Sequence, residues 1–265
     1  MNAEEIRATL RGGGKVFGTA VLSTSPHWVP AIRSVGLDFV FIDTEHTPID
    51  RLTAAWMIQA YEASGLATLV RIPRPDPYLV RETLDAGASG VVAPYVEDAE
   101  TVRLLAAAVR YRPLKGSLLK EKELLSNVTT AYLERYNKNR ILIVNIESRP
   151  ALDCLTEILS QHDLDGVLIG PHDLSVSLGC PEDYKHPEFC RAVKQIISIS
   201  RNHGKAVGVH AWLSLAIEQE WMREGANIIL HSSDLYAARS NLAAEIRILR
   251  AAAESKRPAD DPVLL

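Results

Sequence analysis

Two carboxylates define the chemistry open to this chain. Glu147 closes the apolar run Ile141-Leu142-Ile143-Val144-Asn145-Ile146, and Asp173 follows the run Gly166-Val167-Leu168-Ile169 after a Gly170-Pro171 turn. Runs this short, apolar and bounded by turn residues read as strands covered on both faces, the situation of a parallel sheet. In such sheets chemistry collects beyond the carboxyl ends of the strands. Two acids at neighbouring strand ends make a seat for a hard divalent cation. Oxygen ligands favour magnesium or manganese, with cobalt or zinc behind them. Two protein ligands leave positions open for a small 2-oxo acid chelating through its carboxylate and ketone oxygen. The cation then serves as a Lewis acid on the ketone and stabilises the enolate formed there.

Other strand ends add to this set. Arg71 ends the third run and can supply positive charge to the same oxygen. Backbone N–H groups around Gly170, Pro171, His172 and Asp173 open a helix and can hold the substrate carboxylate. His46, in Asp43-Thr44-Glu45-His46 after the second run, is the natural proton carrier at neutral pH. Each has an ordinary explanation taken singly: a surface ion pair for the arginine, a structural hydrogen bond for the histidine, helix N-caps for the acids. Their convergence on one mouth favours function. A Schiff-base mechanism requires a strand-end lysine. None of the runs supplies one, since Lys205 stands at the opposite end of its run. The turns after the last two runs, His210-Ala211-Trp212-Leu213 and Ser232-Ser233-Asp234-Leu235, lack the glycines of a phosphate site, so an unphosphorylated substrate is expected.

The frame that must position these residues is visible as eight apolar, β-rich runs: Val16–Leu22, Phe39–Thr44, Ala67–Pro73, Gly90–Val96, Ile141–Glu147, Gly166–Pro171, Lys205–Trp212 and Asn227–Ser232. Segments 77–87, 98–110, 150–161, 186–203 and 214–224 have helical spacing, and residues 4–10 read as a leading helix. With 265 residues and no second composition regime, the expectation is a single α/β domain, a (β/α)8 TIM barrel over residues 1–256, with 257–265 a disordered tail. A doubly wound open sheet is the runner-up. The spacing is uneven only between the fourth and fifth runs, where 111–126, with Arg112, Lys115, Lys120 and Lys122, reads as a long loop approaching the mouth.

Composition narrows the partners. A formal net charge of -4 gives no reason to expect nucleic acid or a membrane surface. Cys154, Cys180 and Cys190 are an odd number without metal-ligand spacing, which points to reduced thiols in a cytoplasmic protein. The acidic start Met1-Asn2-Ala3-Glu4-Glu5 is unlike a signal peptide, and no apolar stretch has the length of a membrane span.

Five stretches together resemble the HpcH/HpaI aldolases, the metal-dependent class II pyruvate aldolases. They are Phe41-Ile42-Asp43-Thr44-Glu45-His46-Thr47-Pro48, Val70-Arg71-Ile72-Pro73, Leu84-Asp85-Ala86-Gly87-Ala88, Ile146-Glu147-Ser148 and Ile169-Gly170-Pro171-His172-Asp173-Leu174-Ser175. The likeness runs over roughly residues 14 to 250, in order. It implies that Glu147 and Asp173 bind the metal, that Arg71 binds the keto oxygen, and that His46 paired with Asp85 handles protons. Glu45 is implied to arrange the mouth and metal-bound water. It further implies a last helix swapped between subunits in a hexamer built as a trimer of dimers. Asn145 and His172 depart from the glutamine and alanine usual in bacterial members. Arg112-Pro113-Leu114-Lys115-Gly116-Ser117-Leu118-Leu119-Lys120 replaces a glycine-rich segment, and Gly-Pro-His-Asp-Leu-Ser is closer to macrophomate synthase, a fungal member. The function expected is reversible aldol cleavage of a 4-hydroxy-2-oxo acid to pyruvate and an aldehyde. The alternatives are decarboxylation of oxaloacetate, with or without coupling of the enolate to an acceptor, and a barrel that binds a keto acid without turnover.

Overall fold

The computed structural model describes residues 1–117, 126–211 and 214–254. Eight parallel strands close into a barrel in sequence order. They are β1 (Val16–Val21), β2 (Phe39–Asp43), β3 (Ala67–Arg71), β4 (Gly90–Ala93), β5 (Ile141–Ile146), β6 (Gly166–Ile169), β7 (Ala206–Ala211) and β8 (Ile228–Ser233). Each lies within one of the eight apolar runs or a residue beyond it. The open-sheet alternative is excluded because β1 pairs with both β2 and β8.

Alternation along each strand builds two cores. Val16, Phe39, Phe41, Leu69, Ile143, Leu168 and Leu230 fill the barrel interior, with Ile6 and Leu10 of the leading helix Ala3–Arg11 packed among them from below. The opposite faces pack against the surrounding helices. Close packing inside explains Gly18, where a Cβ would run into the Phe39 ring. The lower end is fastened by charge. Asp165, just before β6, accepts from Arg7 Nε at 2.7 Å, from Arg110 Nη2 at 2.6 Å and from the Leu142 N–H at 3.0 Å. Lys205 Nζ donates to three nearby carbonyls there, as its expected position away from the mouth requires.

Several local expectations change. The connection before β5 contains a second helix, Asn127–Tyr136, capped by Ser126. Residues 111–117 do not approach the mouth. They follow the lower end of helix Ala99–Arg110, and Arg112 Nη1 lies 3.2 Å from Asp85 Oδ1. The rest of that loop, the tail and Trp212 lie outside the described residues. Helices Trp28–Arg33 and Arg51–Ala63 add to those expected. The segment 150–161 divides into Arg149–Asp153 and Leu155–Leu159 at Cys154, whose backbone leaves the helical region.

The last helix, Asp234–Glu254, does not fold back against the barrel. Its buried first residue accepts from the Leu22 and Ser23 N–H groups at 3.0 and 2.9 Å. Beyond that latch it projects outward with Leu242, Ile248 and Leu249 exposed. An apolar groove of about 630 Å³, bordered by Trp28, Leu37, Leu215 and Met222, runs along the barrel beside its start. No helix among the described residues is long and apolar enough to cross a membrane.

Candidate active site

The alternation that points Phe41, Leu69, Asn145, Leu168 and Gly208 inward carries over to the residues two further on: Asp43, Arg71, Glu147, Gly170 and His210. These five, together with His46, His172, Asp173 and Tyr184, border a pocket of about 470 Å³ at the carboxyl ends of the strands. The sequence-derived residues Arg71, Glu147, Asp173 and His46 therefore meet at one mouth.

Arg71 is held from β2. Its Nε donates to Asp43 Oδ1 at 2.9 Å and its Nη2 to Oδ2 at 2.5 Å, both groups being buried. Asp43 and Arg71 are register partners across β2 and β3. Sequence reasoning did not assign Asp43, yet period two plus parallel pairing was a signal that could have found it. Burial opposes the Asp43 charge, but the two-pronged bond to Arg71 outweighs it and holds the carboxyl below its usual range. Burial likewise works against the guanidinium, and Asp43 more than restores its charge. Asp43 Oδ1 also accepts from the N–H groups of Glu45 and His46 at 3.0 and 3.4 Å, so one carboxylate fixes both the arginine and the turn carrying the histidine.

Glu45 bridges these groups. Its Oε2 is 3.2 Å from Arg71 Nε and 3.7 Å from His46 Nε2, and burial pushes its carboxyl up despite those positive neighbours. The expected pairing of His46 with Asp85 is not made within the chain. Asp85 ends the nine-residue helix Pro77–Asp85, which leads away from the mouth at about 1.5 Å per residue. It sits at the lower end beside Arg112, with its side chain 67% exposed. The neighbour that His46 does have is Glu45.

The two acids expected to hold a metal differ in setting. Glu147 is buried, and Oε1 accepts from the Tyr95 N–H at 2.9 Å. Tyr95 takes φ 47° to aim that N–H, an unusual conformation for a tyrosine. Burial, with Asp173 adding its negative charge, pushes the Glu147 carboxyl up. Asp173 stands in the first turn of helix Pro171–Ser177, with its side chain open to the pocket. Neither acid is an N-cap: Ser148 caps the helix after Glu147, and Gly170 occupies the cap position before Asp173. Gly170 is required for room, since a Cβ there would overlap Glu147 Oε2. His172 lies at the rim, 3.8 Å from Asp173 Oδ1 and 3.6 Å from Glu182 Oε1. Among the described residues no three His, Cys, Asp or Glu side chains gather as a metal cage. Two carboxylates, one stripped of water, with a third acid whose Oε2 is buried without a hydrogen bond, fit a hard cation that keeps open positions.

Sequence reasoning noted His210 at the end of the seventh run without giving it a role. Its ring packs obliquely on Phe41 at 4.8 Å and borders the pocket. Burial, reinforced by the charge of Arg71, pushes the imidazole down to about 3, so it is uncharged at neutral pH.

The model of HpcH/HpaI aldolase/citrate lyase matches residues 17–240. The chain belongs to this family. It is 32% identical over 238 residues to a 5-keto-4-deoxy-D-glucarate aldolase of Klebsiella pneumoniae, covering 89% of this chain and 93% of that one. An HpcH/HpaI family protein from Burkholderia cenocepacia superposes with a TM-score of 0.82 at 26% identity, covering 93% of this chain and 99% of its own. Macrophomate synthase shares the fold, with a TM-score of 0.80 at 22% identity and coverage of 97% and 92%. As a family member the protein is an enzyme, a carbon–carbon lyase of the aldolase type.

Proposed function

We propose that the protein cleaves an unphosphorylated 4-hydroxy-2-oxo acid reversibly to pyruvate and an aldehyde, with Glu147 and Asp173 holding a divalent metal, magnesium or manganese. The observation that carries this reading is the Arg71–Asp43 clamp facing the Glu147–Asp173 pair across one pocket. When bound, the metal supplies Lewis acidity to the 2-oxo group. Arg71, whose Nε and Nη2 are committed to Asp43, adds fixed positive charge where the enolate oxygen develops. The first turn of helix Pro171–Ser177 directs the N–H groups of His172 and Asp173 toward the substrate carboxylate. His46 takes the proton from the 4-hydroxyl oxygen and returns one to C3, with Glu45 beside it to balance its charge.

A second reading, decarboxylation of oxaloacetate, draws support from His172, which borders this pocket, and from Asn145, buried in β5 two residues before Glu147, both of which depart from the aldolase pattern. Loss of carbon dioxide leaves the enolate without a base, whereas aldol cleavage needs one. His46→Ala should therefore lower kcat for cleavage by about 10²–10⁴-fold and spare much of the decarboxylation. The test is a panel of pyruvate, oxaloacetate and several 4-hydroxy-2-oxo acids, with magnesium, manganese or excess EDTA, in wild type and His46→Ala. Full activity in EDTA sinks the metal-dependent reading. A wild type that only decarboxylates oxaloacetate promotes the second.

The assembly belongs to the same proposal. The projecting helix Asp234–Glu254 and the apolar groove beside its start are complementary parts that one copy leaves unmatched, and exchange of the helix between two copies covers both. Any contact between His46 and Asp85 must likewise be made between copies, since one chain keeps them at opposite ends.

A further inference from the structure

A 2-oxo acid brings two acceptors to the mouth, and Arg71 meets one of them. In the reading above the keto oxygen faces that arginine at the end of β3, and the carboxylate lies further round, beside His172 and Asp173 after β6. Among the described residues no other arginine and no lysine borders the pocket. Two side-chain donors stand in the β6 sector, His172 and Tyr184. His172 is engaged at the rim between Asp173 and Glu182, which leaves Tyr184.

Tyr184 belongs to the connection between helices Pro171–Ser177 and Pro187–Asn202, and it is held from both ring and backbone. The ring meets buried Phe189 edge-on at 5.5 Å, and the Tyr184 carbonyl accepts from Cys190 Sγ at 3.6 Å. Two residues earlier Glu182 takes φ 58°, unusual for a residue with a side chain. That turn lets the Glu182 N–H donate to Oγ of fully buried Ser175 at 3.0 Å. Ser175 Oγ in turn donates to the His172 carbonyl at 2.7 Å. The connection is thus tied to the turn that carries Asp173. It brings the phenol to the pocket, close enough to Asp173 to feel its charge. Among the described residues no group of the chain hydrogen-bonds the Tyr184 hydroxyl.

We propose that Tyr184 is a substrate-binding residue whose O–H donates to the carboxylate of the 2-oxo acid. The inference rests on the reading above and deepens it by giving the carboxylate a side-chain partner. A phenol is protonated at neutral pH and offers one donor. Its bond to a carboxylate is charge-assisted, stronger than one between neutral groups. Unlike a lysine or an arginine, it binds that anion without neutralising Glu147 and Asp173, so the pair keeps its charge for a cation.

Tyr184→Phe removes the hydroxyl and keeps the ring against Phe189. The experiment measures kcat and KM for exchange of the pyruvate methyl protons with magnesium present, and KM for propionaldehyde in the addition reaction. Loss of a hydrogen bond to a charged group should raise KM for pyruvate roughly 10- to 100-fold. Because that bond is made equally in the ground and transition states, kcat should stay near the wild-type value, and KM for propionaldehyde should not change. This split is not expected of a residue that only holds its segment in place, whose loss would displace Asp173 and lower kcat. An unchanged KM for pyruvate, or a fall in kcat as large as the rise in KM, overturns the assignment. A rise confined to KM for the aldehyde puts the phenol on the other half of the substrate and overturns it as well. Absence of exchange in wild type refutes the reading above and this inference with it, whereas wild-type exchange with an unchanged KM in Tyr184→Phe refutes this inference alone.

Discussion

Gly170→Ala isolates how tightly the metal seat is built. Gly170 has φ -88°, a conformation any residue adopts, so alanine adds no backbone strain. Its cost comes from space. The new Cβ would overlap Glu147 Oε2 and stand 3.1 Å from Glu147 Cδ and 3.3 Å from its Cβ. Restoring ordinary contact requires the carboxylate to move by on the order of 1 Å, and misplacement of that size in a reacting constellation costs about 10²-fold in rate. The same overpacking should reduce stability by about 1–3 kcal/mol, which a large barrel tolerates. The measurement pairs kcat/KM for pyruvate proton exchange with thermal unfolding. A folded variant with a rate down about 100-fold is the expected outcome. Wild-type exchange in Gly170→Ala would show that Glu147 does not need its present position, and the two-carboxylate seat would fall.

Other perturbations test neighbouring parts of the argument. Arg71→Lys keeps the charge but cannot reproduce the two-pronged bond to Asp43, so it should lose about 10²–10³-fold in kcat, with pyruvate proton exchange lost in step; near-normal exchange would place Arg71 outside the site. Asp165→Asn breaks the buried charge cluster at the lower end and should cost about 3–5 kcal/mol in urea unfolding at neutral pH. The Asp165 carboxyl is held low because Arg110 and Arg7 outweigh the effect of burial. Its contribution is thus present above the unfolded value of 3.8 and lost as pH falls through the folded value, so the gap from wild type should narrow in that acid range; a gap that widens there refutes the sign. Ending the chain after Asp234 keeps the latch on β1 but removes the projecting helix. Light scattering should then report a smaller assembly, and an unchanged one excludes helix exchange.

The barrel was legible because its signal is redundant. Eight apolar runs at regular spacing overdetermine a closed sheet, and errors of one or two residues at strand ends do not alter which side chains face inward. Glu147, Asp173 and Arg71 were legible for the same reason: a polar residue ending an apolar strand has few places to be except the mouth. What escaped was pairing across space. Asp43 reads as one acid among several until β2 and β3 are put in register, when it becomes the partner of Arg71. The place of Asp85 was not legible, because a motif gives the order of residues along the chain, whereas helix Pro77–Asp85 spends its length carrying that acid to the lower end of its own barrel. The start of the loop before β5, residues 111–117, was misjudged similarly, because charge and length say nothing about which end of a helix a loop leaves from. His210 was visible as a strand-end histidine, but its neutrality depends on burial and on Arg71, and neither is encoded locally.

The carboxylates of this barrel divide the molecule into an end made for stability and an end made for chemistry. At the lower end Asp165 is surrounded by Arg7 and Arg110, and its charge is favoured in spite of burial. At the mouth Glu147 is buried and Glu45 half-buried with too little positive charge, and both carboxyls are pushed up. One fold and one kind of functional group thus give opposite electrostatic outcomes, set by whether arginines are supplied. Arg71 is the sole arginine bordering the pocket among the described residues, and Asp43 claims two of its nitrogens. The acids at the mouth are left with negative charge that the protein itself does not neutralise. A site in that condition is unfavourable for folding and favourable for a cation, and this imbalance is the physical reason for expecting metal at Glu147 and Asp173.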